Sequence, residues 1–124
     1  LHETYAREWH IDLTNNQIKP ATKNYTDFLD KVSEKQTAIE IMFAMTPCMR
    51  LYSWLGKSLS KKVANNPYKE WIIAYSADSF DNLAKSLENL IDSSKEIYDT
   101  NKANFFYKRA MELELEFFNA YSNY

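Results

Sequence analysis

Cys48 is the single cysteine in this chain of 124 residues, and it sits in the stretch Ala44-Met45-Thr46-Pro47-Cys48-Met49-Arg50-Leu51-Tyr52. A lone thiol has no internal disulfide partner, so it either fills space or reacts. Pro47 interrupts an apolar helical run immediately before it, and Tyr52 follows one helical turn later. A reactive thiol needs surroundings that stabilise the thiolate. Inert packing is the commoner fate of an isolated buried cysteine.

The second chemical candidate is a carboxylate. Met111-Glu112-Leu113-Glu114-Leu115-Glu116-Phe117-Phe118 alternates three glutamates with apolar residues. At about 100° per residue, Glu114 falls at the centre of the stripe formed by Tyr107, Ala110, Phe117, Phe118 and Tyr121. Glu112 and Glu116 fall opposite and are expected to face water. A carboxylate inside an apolar stripe is costly unless hydrogen-bonded or paired. Burial also favours its protonated form, which suits a general acid. The alternative is a buried Glu that bonds to a Tyr hydroxyl and only ties helices together.

The same periodicity around the thiol gives an inward stripe of Ile41, Ala44, Met45, Cys48, Leu51, Tyr52 and Leu55. Two helices facing each other would then offer a thiol and a carboxyl to one space. Tyr25, Tyr52 and Tyr75 are the aromatic candidates for the same pocket, since Tyr can line a polar ligand site. Ordinary core packing with the hydroxyl at the surface is the commoner role for any one of the nine tyrosines.

Those side chains must be positioned by helices. The chain holds one glycine and three prolines. That is too few turn glycines for a β-sandwich or an α/β fold. The expected elements are a helix from Leu1 to Trp9, then a loop over Asp12 to Lys19 containing Asn15-Asn16. The next helix is capped by Thr22, runs through Val32, and is briefly interrupted at Ser33 or Lys35. A long helix follows from Thr37 to Ser60, bent near Pro47. Asn65-Asn66-Pro67 ends it and opens the next helix, with Pro67 in the first turn. That helix covers Tyr68 to Tyr75. Another, capped by Asp78, runs through Ile91. Asp99-Thr100-Asn101 is a break before a last helix from Lys102 to Ser122.

Composition removes several function classes. The formal charge is −2, and the densest basic cluster is Lys57, Lys61 and Lys62. That gives no footprint for nucleic acid. No apolar run approaches the roughly 18 residues of a membrane span. His2 and His10 are isolated, and no HExxH, CxxC or Asp/Glu/His cluster points to a metal. No glycine-rich phosphate loop exists, and no cofactor is expected. The single cysteine is compatible with a reducing compartment.

Several segments together resemble one family, the TenA proteins or thiaminase II. Ala44-Met45-Thr46-Pro47-Cys48 with Tyr52 resembles its Pro-Cys motif. Asn66-Pro67-Tyr68-Lys69-Glu70-Trp71-Ile72 followed by Tyr75 is similar to its next signature. Glu114-Leu115-Glu116-Phe117-Phe118 resembles its C-terminal Glu-x-x-Phe-Trp element, with Phe118 in place of Trp. Leu1-His2 through Tyr5, and Tyr25-Thr26, are similar to its middle region.

The resemblance implies one all-α domain over residues 1–124, a heme-oxygenase-like helical bundle lacking the family's N-terminal helices. It implies hydrolysis of 4-amino-5-aminomethyl-2-methylpyrimidine, and more slowly of thiamin, to the hydroxymethylpyrimidine of thiamin salvage. Cys48 would be the nucleophile and Glu114 the acid/base. Tyr25, Tyr52, Tyr75 and Phe117 would line the pocket. The protein would be cytoplasmic and homo-oligomeric, a tetramer by resemblance, with no nucleic-acid or membrane partner. The missing helices would carry an acidic residue that grips the aminopyrimidine and a further pocket Tyr. The alternative is a non-catalytic pyrimidine-binding or assembly module built on the same fold.

Overall fold

The computed structural model describes residues 2–14 and 17–122. Leu1 and the Asn15-Asn16 pair of the expected loop lie outside the described residues. Among the described residues six α-helices follow one another: α1 (His2–Glu8), α2 (Pro20–Lys35), α3 (Ala38–Leu59), α4 (Lys69–Ser76), α5 (Asp78–Ser93) and α6 (Thr100–Tyr121). Among the described residues there is no strand. None of the helices is long and apolar enough to cross a membrane.

α3 is the central element and packs against α2, α4, α5 and α6. It starts with a capping box. The Thr37 hydroxyl accepts from the Glu40 N–H, and the Glu40 carboxylate accepts from the Thr37 N–H at 3.0 Å. Each bond satisfies a donor that the first helical turn leaves orphaned. The other oxygen of Glu40 pairs with Lys102 Nζ at 2.9 Å, which fastens the start of α3 to the start of α6. Below that clasp, Val32, Ala44 and Phe106 form a buried cluster with Phe28 and Ile41 against it. Burying a phenylalanine of this kind contributes about 1.5–3 kcal/mol.

On its other side α3 is joined to α5 by a charge cluster. Asp81, 6% exposed, accepts from Arg50 at 2.9 Å and Ser53 at 3.0 Å, and pairs with Lys57 and Lys85 at 2.8 Å each. Arg50 also pairs with Glu88. α3 therefore has two buried faces. The expected stripe captures one of them, through Ala44. The other is made of Ile39, Thr46, Ser53 and Gly56; on it Ser53 bonds Asp81 of α5 and Gly56 lies against the Tyr75 backbone of α4. Met45, expected inside, is 47% exposed.

Several boundaries differ from expectation. Lys19, not Thr22, holds the N-cap position of α2, and Pro20 occupies the first turn. Its fixed φ and missing N–H suit that place. α2 runs on through Ser33, whose hydroxyl donates to the Asp30 carbonyl at 2.8 Å. α3 continues through Pro47, gives way at Ser60–Lys62 to a single 3-10 turn, and Asn65 then takes a φ of 60°. Pro67 lies in the turn ahead of α4 rather than in its first turn, because Asn66 Oδ1 captures the Tyr68 N–H at 2.9 Å. Asp78 is the first residue of α5 and does not cap it. Asp99 closes the break between α5 and α6 and caps α6, which begins already at Thr100; its carboxylate accepts from the N–H groups of Asn101 and Lys102.

On α6 the buried face comprises Ala103, Phe106, Ala110, Leu113 and Glu114. Tyr107, Phe118 and Tyr121 of the expected stripe are 37–39% exposed. The true buried face is thus turned toward Phe106 and Leu113, with Ala110 and Glu114 common to both.

Candidate active site

α2, α3 and α6 converge on a cavity of about 230 Å³. Tyr25 and Leu29 come from α2, Met45, Cys48, Met49 and Tyr52 from α3, and Glu114 and Phe117 from α6. Five residues expected from the sequence, Cys48, Glu114, Tyr25, Tyr52 and Phe117, thus meet at one place. Tyr75 is not in the cavity wall. It stands behind Tyr52, edge-on, with ring centroids 5.1 Å apart.

Glu114 is 1% exposed, although Glu112 and Glu116 on the same helix reach Arg109 near the surface. Tyr25 Oη donates to Glu114 Oε1 at 2.6 Å. Glu114 Oε2 is buried with no hydrogen-bond partner. An unmet buried acceptor costs about 1–3 kcal/mol, which a donor on a bound molecule removes.

Cys48 is half-buried beside this pair. Burial, then the charge and hydrogen bonding of Glu114, push its thiol up to about 12, and a hydrogen bond from Tyr25 opposes them. The Tyr25 hydroxyl is raised strongly by burial and by its bond to Glu114. Tyr52 is raised by burial and by the Glu114 charge. Tyr75 is raised by burial and by the nearness of Cys48. The site therefore does not hold a ready thiolate. It holds a neutral thiol beside the Glu114 side chain.

Tyr52 is held in place by rings. Trp71, Tyr75 and Phe118 surround it at centroid distances of 5.5, 5.1 and 6.0 Å. Phe118 packs on Phe117 at 6.0 Å as well, so it braces two walls of the cavity from outside. Leu29 and Met49 are walls that the residue pattern does not single out. Leu29 follows Tyr25 by four positions and so shares its helical face. Among the described residues, no group of three or more His, Cys, Asp or Glu side chains is arranged to hold a metal ion.

A profile of the TENA/THI-4/PQQC family matches residues 1–124. The chain is 32% identical over 146 aligned positions to the "Bifunctional TH2 protein, mitochondrial" of Arabidopsis thaliana, a match covering 97% of this chain and 24% of that protein. It is 29% identical over 128 positions to the "Aminopyrimidine aminohydrolase" of Halalkalibacterium halodurans, covering 96% of this chain and 57% of that one. The structure of a TenA homologue protein from P. horikoshii OT3 has the same fold, with a TM-score of 0.83 at 24% identity over 95% of this chain and 59% of that one. The chain thus spans less than two thirds of the length of each of these proteins.

Proposed function

Because the chain belongs to the TENA/THI-4/PQQC family, we propose that it is the catalytic portion of a thiamin-salvage hydrolase acting on 4-amino-5-aminomethyl-2-methylpyrimidine. Cys48 is the nucleophile and Glu114 the proton carrier. The observation that carries this reading is the pairing of a buried carboxyl, held at one oxygen by Tyr25 and unpartnered at the other, with the only thiol of the chain at the same cavity. The name of the Halalkalibacterium relative agrees with it.

The chemistry follows from the neutral thiol. As the Cys48 sulfur bonds to an electron-poor ring carbon, its proton passes to Glu114, and the ring π pair moves to a nitrogen that Glu114 then protonates. Addition breaks ring aromaticity and makes the exocyclic C–N bond easier to cleave. That bond breaks with its electron pair going to nitrogen, which leaves as ammonia after taking up a proton. Water adds at the vacated carbon, the C–S bond breaks, and the thiol recovers its proton. The sum is amine plus water giving alcohol plus ammonia. A substrate N–H or ring N–H facing Glu114 Oε2 satisfies the acceptor that the protein leaves unmet. Tyr52 and Phe117 provide the faces against which a flat ring lies, and Tyr75 supports Tyr52 from behind.

Ammonia release from the aminomethylpyrimidine tests this, comparing the chain with Cys48→Ser. Activity in the first and none in the second is expected. A folded chain that binds the pyrimidine but releases no ammonia overturns the hydrolase and leaves a non-catalytic binding module.

A further inference from the structure

Three sulfur-bearing residues line the same wall of the cavity. Met45, Cys48 and Met49 all line it, and all come from one turn of α3. Cys48 and Met49 lie three and four residues beyond Met45, so in a helix they flank the position directly above it. The aminopyrimidine reaction uses only the central sulfur. The two thioethers have no part in it.

Thiolate and thioether sulfurs are soft donors that select soft monovalent ions over Mg²⁺, Ca²⁺ or Mn²⁺. Methionine has three rotatable bonds and adapts its sulfur position readily. The fourth feature of this space is Glu114, whose Oε2 is buried without a partner beside the thiol. A carboxylate in the same cavity adds negative charge where a cation would sit. We propose that Met45, Cys48 and Met49 form a binding site for a soft monovalent metal ion, of the copper(I) or silver(I) class, inside the catalytic cavity. Binding forms a sulfur–metal bond at Cys48 and releases the thiol proton to solvent, with no change of oxidation state. The two thioethers complete the coordination. An ion there occupies the nucleophile and excludes the pyrimidine, so the site makes the protein sensitive to soft metals.

Silver(I) is the probe, since it is not readily reduced or oxidised under these conditions. It is titrated into the full chain in chloride-free buffer against a competing ligand, with binding followed by calorimetry. One ion per chain is expected. Met45→Leu/Met49→Leu keeps the thiol and is expected to bind at least about tenfold more weakly, because two of three soft donors are gone. Cys48→Ser is expected to lose more. Equal affinity of wild type and the double methionine variant overturns the proposal, because the thiol alone then accounts for binding. Should the double variant not fold, Met45→Leu at its half-exposed position carries the same comparison. The readout needs no turnover, so its outcome is separate from that of the ammonia assay.

Discussion

Gly56 lies directly against the backbone of Tyr75. A Cβ built at Gly56 would stand 2.4 Å from the Tyr75 carbonyl carbon and 2.5 Å from the Ser76 nitrogen. Both atoms are main chain and cannot swing aside. The only glycine of the chain therefore sets how closely α3 and the end of α4 approach. That approach places the Tyr75 ring behind Tyr52.

Gly56→Ala is accordingly expected to destabilise the fold. Alanine gains up to about 1 kcal/mol in helix propensity, but forced overlap in a packed interior costs about 1–3 kcal/mol and the backbone must move. The expected outcome is a Tm lower by several degrees and a raised KM for the aminopyrimidine, as the support of Tyr52 shifts. Thermal unfolding by circular dichroism checks the first and steady-state kinetics the second. A Tm at or above wild type would show that the close approach carries no strain.

Tyr25→Phe keeps the shape of the cavity wall and removes the hydrogen bond to Glu114 Oε1. Oε1 then loses its hydroxyl donor, while Oε2 already has no hydrogen-bond partner. The expected loss is about 1–3 kcal/mol of stability. The kcat/KM is expected to fall by about 10–100-fold with a displaced pH profile, because the proton carrier loses its anchor. An unchanged profile together with lowered stability would limit Tyr25 to a structural role.

Part of this arrangement is legible without coordinates. The period of the last helix singles out Glu114 among three glutamates because its neighbours three and four positions away are apolar, and it is indeed buried. Cys48 stands out by uniqueness; Tyr25 meets it from α2, and Tyr52 follows it one turn along α3. The second buried face of α3 escapes because Thr46, Ser53 and Gly56 are small or polar and leave no apolar stripe. Ser53 is met by Asp81 of α5 and Gly56 by the Tyr75 backbone of α4, a tertiary effect. The Asp81 cluster escapes for a related reason: Arg50 lies 31 residues away, and no local pattern pairs them. Asp99 falls in the expected break, and its carboxylate, by capping Asn101 and Lys102, starts α6 at Thr100, two residues earlier than expected.

The thiol itself supplies a further prediction. With its ionisation pushed up to about 12 by burial and by Glu114, Cys48 is expected to react with iodoacetamide more slowly at pH 7 than free cysteine does. The rate should climb steadily through pH 10, since the thiolate is the reacting form. Glu114→Gln removes the negative charge and should therefore raise the neutral-pH rate, by several-fold to about tenfold, about tenfold per unit of lowered pKa. The aminopyrimidine should protect the thiol. A slower reaction in Glu114→Gln would mean that the carboxyl activates the thiol even before substrate arrives, contrary to the electrostatics described above.

The Asp81 cluster governs stability in acid. Hydrogen bonds from Lys57, Lys85 and Ser53 hold the Asp81 carboxyl well below its ordinary value of 3.8. Glu40 is lowered as well, first by Lys102 and then by the Thr37 backbone. A carboxyl with a depressed folded-state value contributes stability that is complete above its unfolded value and is lost as pH falls below it. The stabilising contribution should therefore be intact at pH 6 to 7 and decline from about pH 4 downward, as the unfolded chain takes up protons that the folded chain refuses. Asp81→Asn leaves Arg50, Lys57 and Lys85 around an uncharged side chain, so its Tm should already be lower at pH 7. Its further drop between pH 5 and pH 3 should be smaller than that of wild type, because the titrating group is gone. Melting curves of both proteins at pH 7, 5 and 3 make the comparison. Parallel losses in the two would assign the acid sensitivity to other carboxylates and leave Asp81 a structural tether between α3 and α5.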